Sequence, residues 1–97
     1  MHARVNATEW NPEKVEEGIR ITEEKIIPSY RELPGFRGYI LLTEPGGEKA
    51  MAITMWDTKD QMDASVGVAR AMIGELKDLL RAPPQATEWD VMFNVQP

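Results

Sequence analysis

Cysteine is absent from this 97-residue chain, and histidine occurs once, at His2. The first absence excludes disulfides, thiolate nucleophiles, iron–sulfur clusters and cysteine-type structural zinc. The second removes a Ser-His-Asp triad, a two-histidine metal site and an internal histidine ligand, unless the terminal imidazole serves. Neither a metal nor any other cofactor is therefore expected. Clustered basic residues are also missing. The net charge is −5 with no block of Lys or Arg, which argues against nucleic acid and anionic membrane surfaces as partners. No stretch approaches the roughly 20 apolar residues of a membrane span, and Met1–Asn6 lacks the apolar core of a signal peptide. A cytoplasmic location is the expectation.

What remains is an ordinary globular composition, 42% apolar and 28% charged, over 97 residues. Residues 1–97 suit one small domain, and a domain this short gains from a partner subunit. His2 to Thr8 alternates polar and apolar side chains, which predicts a strand. Asn11-Pro12-Glu13 reads as a helix start, with Val15, Ile19, Thr22 and Ile26 following at helical spacing to about Arg31. Pro28 predicts a kink or an early end. Leu33-Pro34-Gly35 turns the chain into a strand over 36–44. Glu44-Pro45-Gly46-Gly47 reverses it into a third strand over 48–57. Thr58-Lys59-Asp60-Gln61 is a capping box, and an apolar stripe from Met62 to Leu80 predicts one helix. Ala86 to Val95 alternates again as a fourth strand.

The order βαββαβ predicts an α+β ferredoxin-like plait. Its four-stranded antiparallel sheet would carry both helices on one face, with strand one central beside strands three and four. Val5, Ile40, Leu42, Met51, Ile53, Met55, Trp89, Val91 and Phe93 share one phase and are expected to pack under the helices. The other phase holds Arg4, Asn6, Tyr39, Leu41, Thr54, Trp56, Asp90 and Met92. Leaving Tyr39, Leu41, Trp56 and Met92 in water would forgo roughly 6–12 kcal/mol. A homodimer through that sheet face is therefore expected.

Leu33-Pro34-Gly35-Phe36-Arg37-Gly38, Ile53-Thr54-Met55-Trp56-Asp57, the capped helix from Thr58 to Ser65 and Glu88-Trp89-Asp90-Val91 follow one another in a telling order. In that order and spacing the chain resembles the antibiotic biosynthesis monooxygenase family, within the dimeric α+β barrels. The resemblance covers nearly the whole chain. It implies two plaits joined sheet to sheet, each with a pocket, and an activity among cofactor-free quinol monooxygenases, haem-degrading enzymes or small proteins without known activity. Haem-degrading relatives use an Asn on strand one, matched by Asn6, and a Trp and a His on the second helix. Thr58 to Leu80 contains neither, so haem degradation is disfavoured.

Cofactor-free oxygenation needs a dry pocket, a hydrogen-bond donor for a developing oxyanion, and a substrate that activates oxygen itself. Arg4, Asn6, Tyr39 and Trp56 could supply a cation, an amide, a phenol and an aromatic wall for a small aromatic ligand. No catalytic residue can be assigned. Each candidate also has a plain structural reading. Trp56 could be packing, Arg4 could pair with Glu88 or Asp90, Tyr39 could serve an interface, and Asn6 could satisfy a neighbour. His2 reads as a solvated terminal residue, and the methionines as adaptable core filler. The leading expectation is a cofactor-independent monooxygenase of a small aromatic or quinol-type substrate. The rival is a non-catalytic homodimer that binds a small ligand or acts as a stress-related accessory protein. Fold alone does not separate them.

Overall fold

Period-two alternation at the start of the chain makes β1, His2–Glu9, in a computed structural model that describes Met1–Pro97. β2 spans Phe36–Thr43 and β3 spans Lys49–Trp56, joined at Glu44–Gly47. Gly46 takes a positive φ of 65°, which an L side chain rarely adopts. β4 spans Gln85–Asp90. The sheet order is β2-β3-β1-β4 with every pair antiparallel, so β1 is central as expected.

The first helical region starts where the sequence places it. Asn11 Oδ1 accepts from Glu13 N at 3.3 Å, and Pro12–Lys14 forms a 3₁₀ turn. α1 runs over Val15–Ile21 and α2 over Ile27–Arg31, with a π-helical turn, Thr22–Ile26, between them. Two causes meet there. Pro28 has no N–H to return to the preceding turn, and Thr22 Oγ1 donates to the Gly18 carbonyl at 2.9 Å, which loosens a helix. The wider turn absorbs what was expected as a kink.

The second helical region is not one helix. α3, Lys59–Ala64, is capped by Thr58 Oγ1 accepting from Gln61 N at 3.2 Å. Ser65 interrupts it, α4 follows over Val66–Leu76, and a 3₁₀ turn over Lys77–Leu79 ends the region. Ser65 is buried and Arg4 reaches it, so the break is filled by a hydrogen-bonded polar group rather than by a packed apolar one. No helix is long and apolar enough to cross a membrane.

The assignment of sheet faces is a correction. Trp56, Thr54, Arg4 and Ala50 lie buried under the helices with Trp10, Tyr30 and Met62. The set that includes Val5, Ile40, Leu42, Met51, Ile53, Met55 and Trp89 faces away from them. Alternation separates two phases but does not say which is covered. Mean hydropathy favours Ile, Leu and Met, whereas the helices demand bulk. Trp56, Tyr30 and Phe36 supply that bulk as mutually packed rings, with centroids 5.6 to 6.1 Å apart. β4 is also shorter than expected. The last backbone bond of that edge is Val91 N to Met1 O at 2.9 Å, and beyond it the chain makes no further backbone hydrogen bond to the sheet. Phe93 and Val95 therefore stand in solvent rather than in the core.

Candidate functional site

The strand register decides which candidates can meet. Arg4 pairs opposite Thr54, Asn6 opposite Ala52 and Tyr39 opposite Thr54, while Trp56 lies two residues beyond Thr54. Arg4, Asn6, Tyr39 and Trp56 thus share one face of the sheet, the face beneath the helices. They do not share one cavity. A cavity of about 40 Å³ lies between sheet and helices, and Asn6 and Tyr39 line it with Tyr30, Thr22, Leu41 and Met72. Arg4 and Trp56 stand outside it.

Trp56 is fully enclosed, and its Nε1 donates to Thr54 Oγ1 at 2.9 Å. It is packing, not a wall that a ligand could touch. Arg4 is buried too. Its Nη1 donates to Ser65 Oγ at 3.1 Å and its Nη2 reaches Glu88 Oε1 at 3.4 Å. Ser65 Oγ in turn donates to the Met62 carbonyl at 2.6 Å. Arg4 therefore ties β1 to β4 and to the α3–α4 junction. Asp90 pairs with His2 Nδ1 at 2.9 Å instead, so the partly exposed His2 has a partner at the sheet end.

Around the cavity the threonine hydroxyls are already engaged. Thr8 Oγ1 donates to the Ala50 carbonyl and accepts from Trp10 Nε1, Thr22 donates to Gly18, and Thr54 accepts from Trp56. The Asn6 amide and the phenols of Tyr30 and Tyr39 have no such partner among the protein groups. These three are the polar groups left for a ligand. Tyr30 was not legible as a candidate, because it lies beyond Pro28 on a helix expected to kink or end there. Burial raises its pKa, with the Arg4 charge opposing. Burial pushes Tyr39 from 10.0 to about 12, with Tyr30 adding to the rise. Both phenols stay protonated donors across neutral pH.

That gives a pH prediction. Tyr30 and Tyr39 are the only tyrosines in the chain. The absorbance of tyrosinate should not grow as pH passes 10.0, the ordinary value, but nearer 12 for Tyr39. A folded-state pKa above the unfolded one means stability that is intact below the unfolded value and lost as pH rises through the folded value. For Tyr39 the loss is roughly 2–3 kcal/mol. Both phenols titrating at the ordinary value in folded protein would contradict the burial.

A larger concavity, about 610 Å³, lies at the hairpin end of the open sheet face, between Leu42, Met51, Lys49 and Gln85. It lies on the sheet face left uncovered by the helices, whereas the helix-side cavity is lined by Asn6, Tyr30 and Tyr39, whose hydrogen-bonding groups are free for a ligand, so the helix-side cavity is the better ligand site. That cavity does not fit haem. It has no histidine, His2 is engaged with Asp90, and Met72 is the sole soft ligand on its wall. No group of three or more His, Cys, Asp or Glu side chains converges elsewhere.

No protein-family model matches the chain. An uncharacterised protein of Mycobacterium tuberculosis, Rv2558, is 25% identical over 91 residues, covering 94% of this chain and 39% of the relative. The chain thus spans about two fifths of the length of the curated relatives it matches. The monooxygenase from the Streptomyces coelicolor gene ActVA-Orf6, in complex with Nanaomycin D, superposes with a TM-score of 0.82. It is 17% identical, with 99% of this chain and 91% of that one covered. The haem-degrader MhuD of Mycobacterium tuberculosis, with two haems bound in its active site, gives 0.79 at 20% identity, with 99% and 100% covered. Sheet order, helix placement and these superpositions agree: the chain has the ferredoxin-like fold of the antibiotic biosynthesis monooxygenase proteins.

Proposed function

We propose that the chain is one domain of a homodimer that binds a small aromatic or quinol-type molecule in the helix-side cavity and oxygenates it without a cofactor. One observation carries this reading: three residues with hydrogen-bonding side chains, Asn6, Tyr30 and Tyr39, line a largely apolar cavity between sheet and helices and have no side-chain partner in the protein. An ionised phenol is the kind of ligand that uses them. Donors aimed at its oxygen in a water-excluded site stabilise the oxyanion that gives an electron to dioxygen. Likeness of fold to monooxygenases supports the chemistry by analogy alone.

The dimer would form through the open sheet face, not the face first expected. Ile40, Leu42, Met51 and Trp89 are each 41 to 58% exposed there. A second copy is the simplest cover for that much apolar surface.

The test is oxygen uptake with 1,4-naphthoquinol. Wild-type protein should raise it above the uncatalysed rate. Asn6→Leu, similar in size but unable to donate, should lower kcat/KM at least about tenfold, worth about 1.4 kcal/mol of transition-state stabilisation. Its melting temperature should stay within a few degrees. Equal uptake by the variant would sink the oxyanion role.

The cavity volume favours a second reading. At about 40 Å³ it is nearly filled by side chains, as in a non-catalytic ligand-binding or accessory protein. Binding of the quinone without any turnover would select that reading.

A further inference from the structure

A dry cavity of about 150 Å³ is what a single benzene ring needs, and this cavity measures about 40 Å³. Any aromatic ligand must therefore move a wall. The sheet is a poor candidate, because β1 is hydrogen-bonded on both sides. The α1–α2 wall is locked as well. At Gly18 a Cβ would fall 1.4 Å from the Trp10 ring, so helix and ring are in close contact. Tyr30 is clasped by Phe36 and Trp56.

α4 is different. Its two ends are fixed. Ser65 is held by Arg4 at one end, and at the other Asn11 N donates to Leu79 O at 2.9 Å while Trp10 bridges Leu80. Just inside each anchor lies a glycine, Gly67 and Gly74. A Cβ at either would meet no atom within 4 Å, so no packing demands glycine there. Each weakens the helix by about 1 kcal/mol relative to alanine. Between them Ala69, Met72 and Ile73 line the cavity. Outside, one exposed ion pair, Lys25–Glu75 at 3.4 Å, tethers the helix.

We propose that residues 67–74 form a hinged flap over the cavity, bowing outward at Gly67 and Gly74 to admit a flat aromatic ring of one or two fused cycles. The volume suffices. The eight residues from Gly67 to Gly74 span about 12 Å of helix, and bowing outward by about 2–4 Å at mid-span over a wall roughly 6 Å wide opens on the order of 100–190 Å³. Met72, unbranched and adaptable, is the side chain best able to yield to the ring. The flap gives the cavity of the preceding section a way in and rests on that reading for its ligand. The motion itself needs no ligand to be seen.

The experiment uses Gly67→Ala, Gly74→Ala and the pair. Native-state hydrogen exchange is read at Val68 to Ile73 against the β1 and β3 amides. Wild-type flap amides should exchange faster than the sheet. Each alanine should slow them about fivefold beyond any change in the sheet, the factor that corresponds to the glycine–alanine difference. Entry of benzene, followed by NMR exchange spectroscopy, should slow by a similar factor. Flap amides that exchange only with the sheet would overturn the proposal. So would benzene entry that the paired substitution leaves unchanged. Failure of the flap would leave the Asn6→Leu result standing, whereas a mobile flap with no quinol turnover would tell against the oxygenase reading alone.

Discussion

Trp56→Ala should lower the unfolding free energy by about 3–5 kcal/mol. The indole is fully buried, packs edge-on to Tyr30 at 5.9 Å and Phe36 at 5.6 Å, and donates to Thr54. Truncation would open a cavity under α3. It would also leave Thr54 Oγ1, in a residue only 3% exposed, without its donor. Trp56→Phe keeps most of the volume and should cost about half as much or less. Denaturant midpoints at one fixed protein concentration give the comparison, since a dimer's stability depends on concentration. A loss under about 1 kcal/mol would mean that Trp56 is not the core residue its enclosure implies. Had Trp56 been the exposed wall of a ligand site, the same variant would have spared stability and lost binding instead.

The second large effect concerns assembly. Ile40→Asp with Met51→Asp should convert the protein to a monomer at micromolar concentration, raising the dimer dissociation constant at least about a thousandfold, or about 4 kcal/mol. Both side chains stand on the open face, more than two fifths exposed. In a monomer the two carboxylates would sit in water at little cost; in a sheet-to-sheet dimer they would be buried without partners. Sedimentation equilibrium reads the outcome. A wild-type monomer, or a double variant that still dimerises, would show that this face is not the interface.

Both results turn on which side of the sheet is covered, and this is where the sequence is ambiguous. Element order follows from periodicity and turn residues, and strand pairing and the central place of β1 follow once right-handed crossovers are applied to that order. The register then puts Arg4, Asn6, Tyr39 and Trp56 on one face. What alternation does not encode is the direction of that face, because both phases are apolar enough to be a core. A local signal did exist. Trp56 ends β3 two residues before the Thr58 cap, so the following helix folds back over it. Arg4 read equally well as ligand or as ion-pair partner. The decisive neighbour, Ser65, lies 61 residues away in sequence and inside what read as an unbroken helix. Tyr30 was hidden because the π turn that carries the helix past Pro28 has no periodic signature. Long-range packing, not local propensity, fixed each of these points.

On the proposed function, Asn6, Tyr30 and Tyr39 receive an aromatic ligand between the sheet and α4. Nitrogen-15-resolved NMR of the Asn6 side-chain amide during a titration with 1,4-naphthoquinone tests it most directly. The Asn6 NH₂ pair should show a saturable shift, accompanied by the amides of Ala69 to Ile73 and absent from Leu42 and Met51 on the open face. An Asn6 signal that stays still while Leu42 and Met51 move would place the ligand in the open concavity and rule out binding beneath α4.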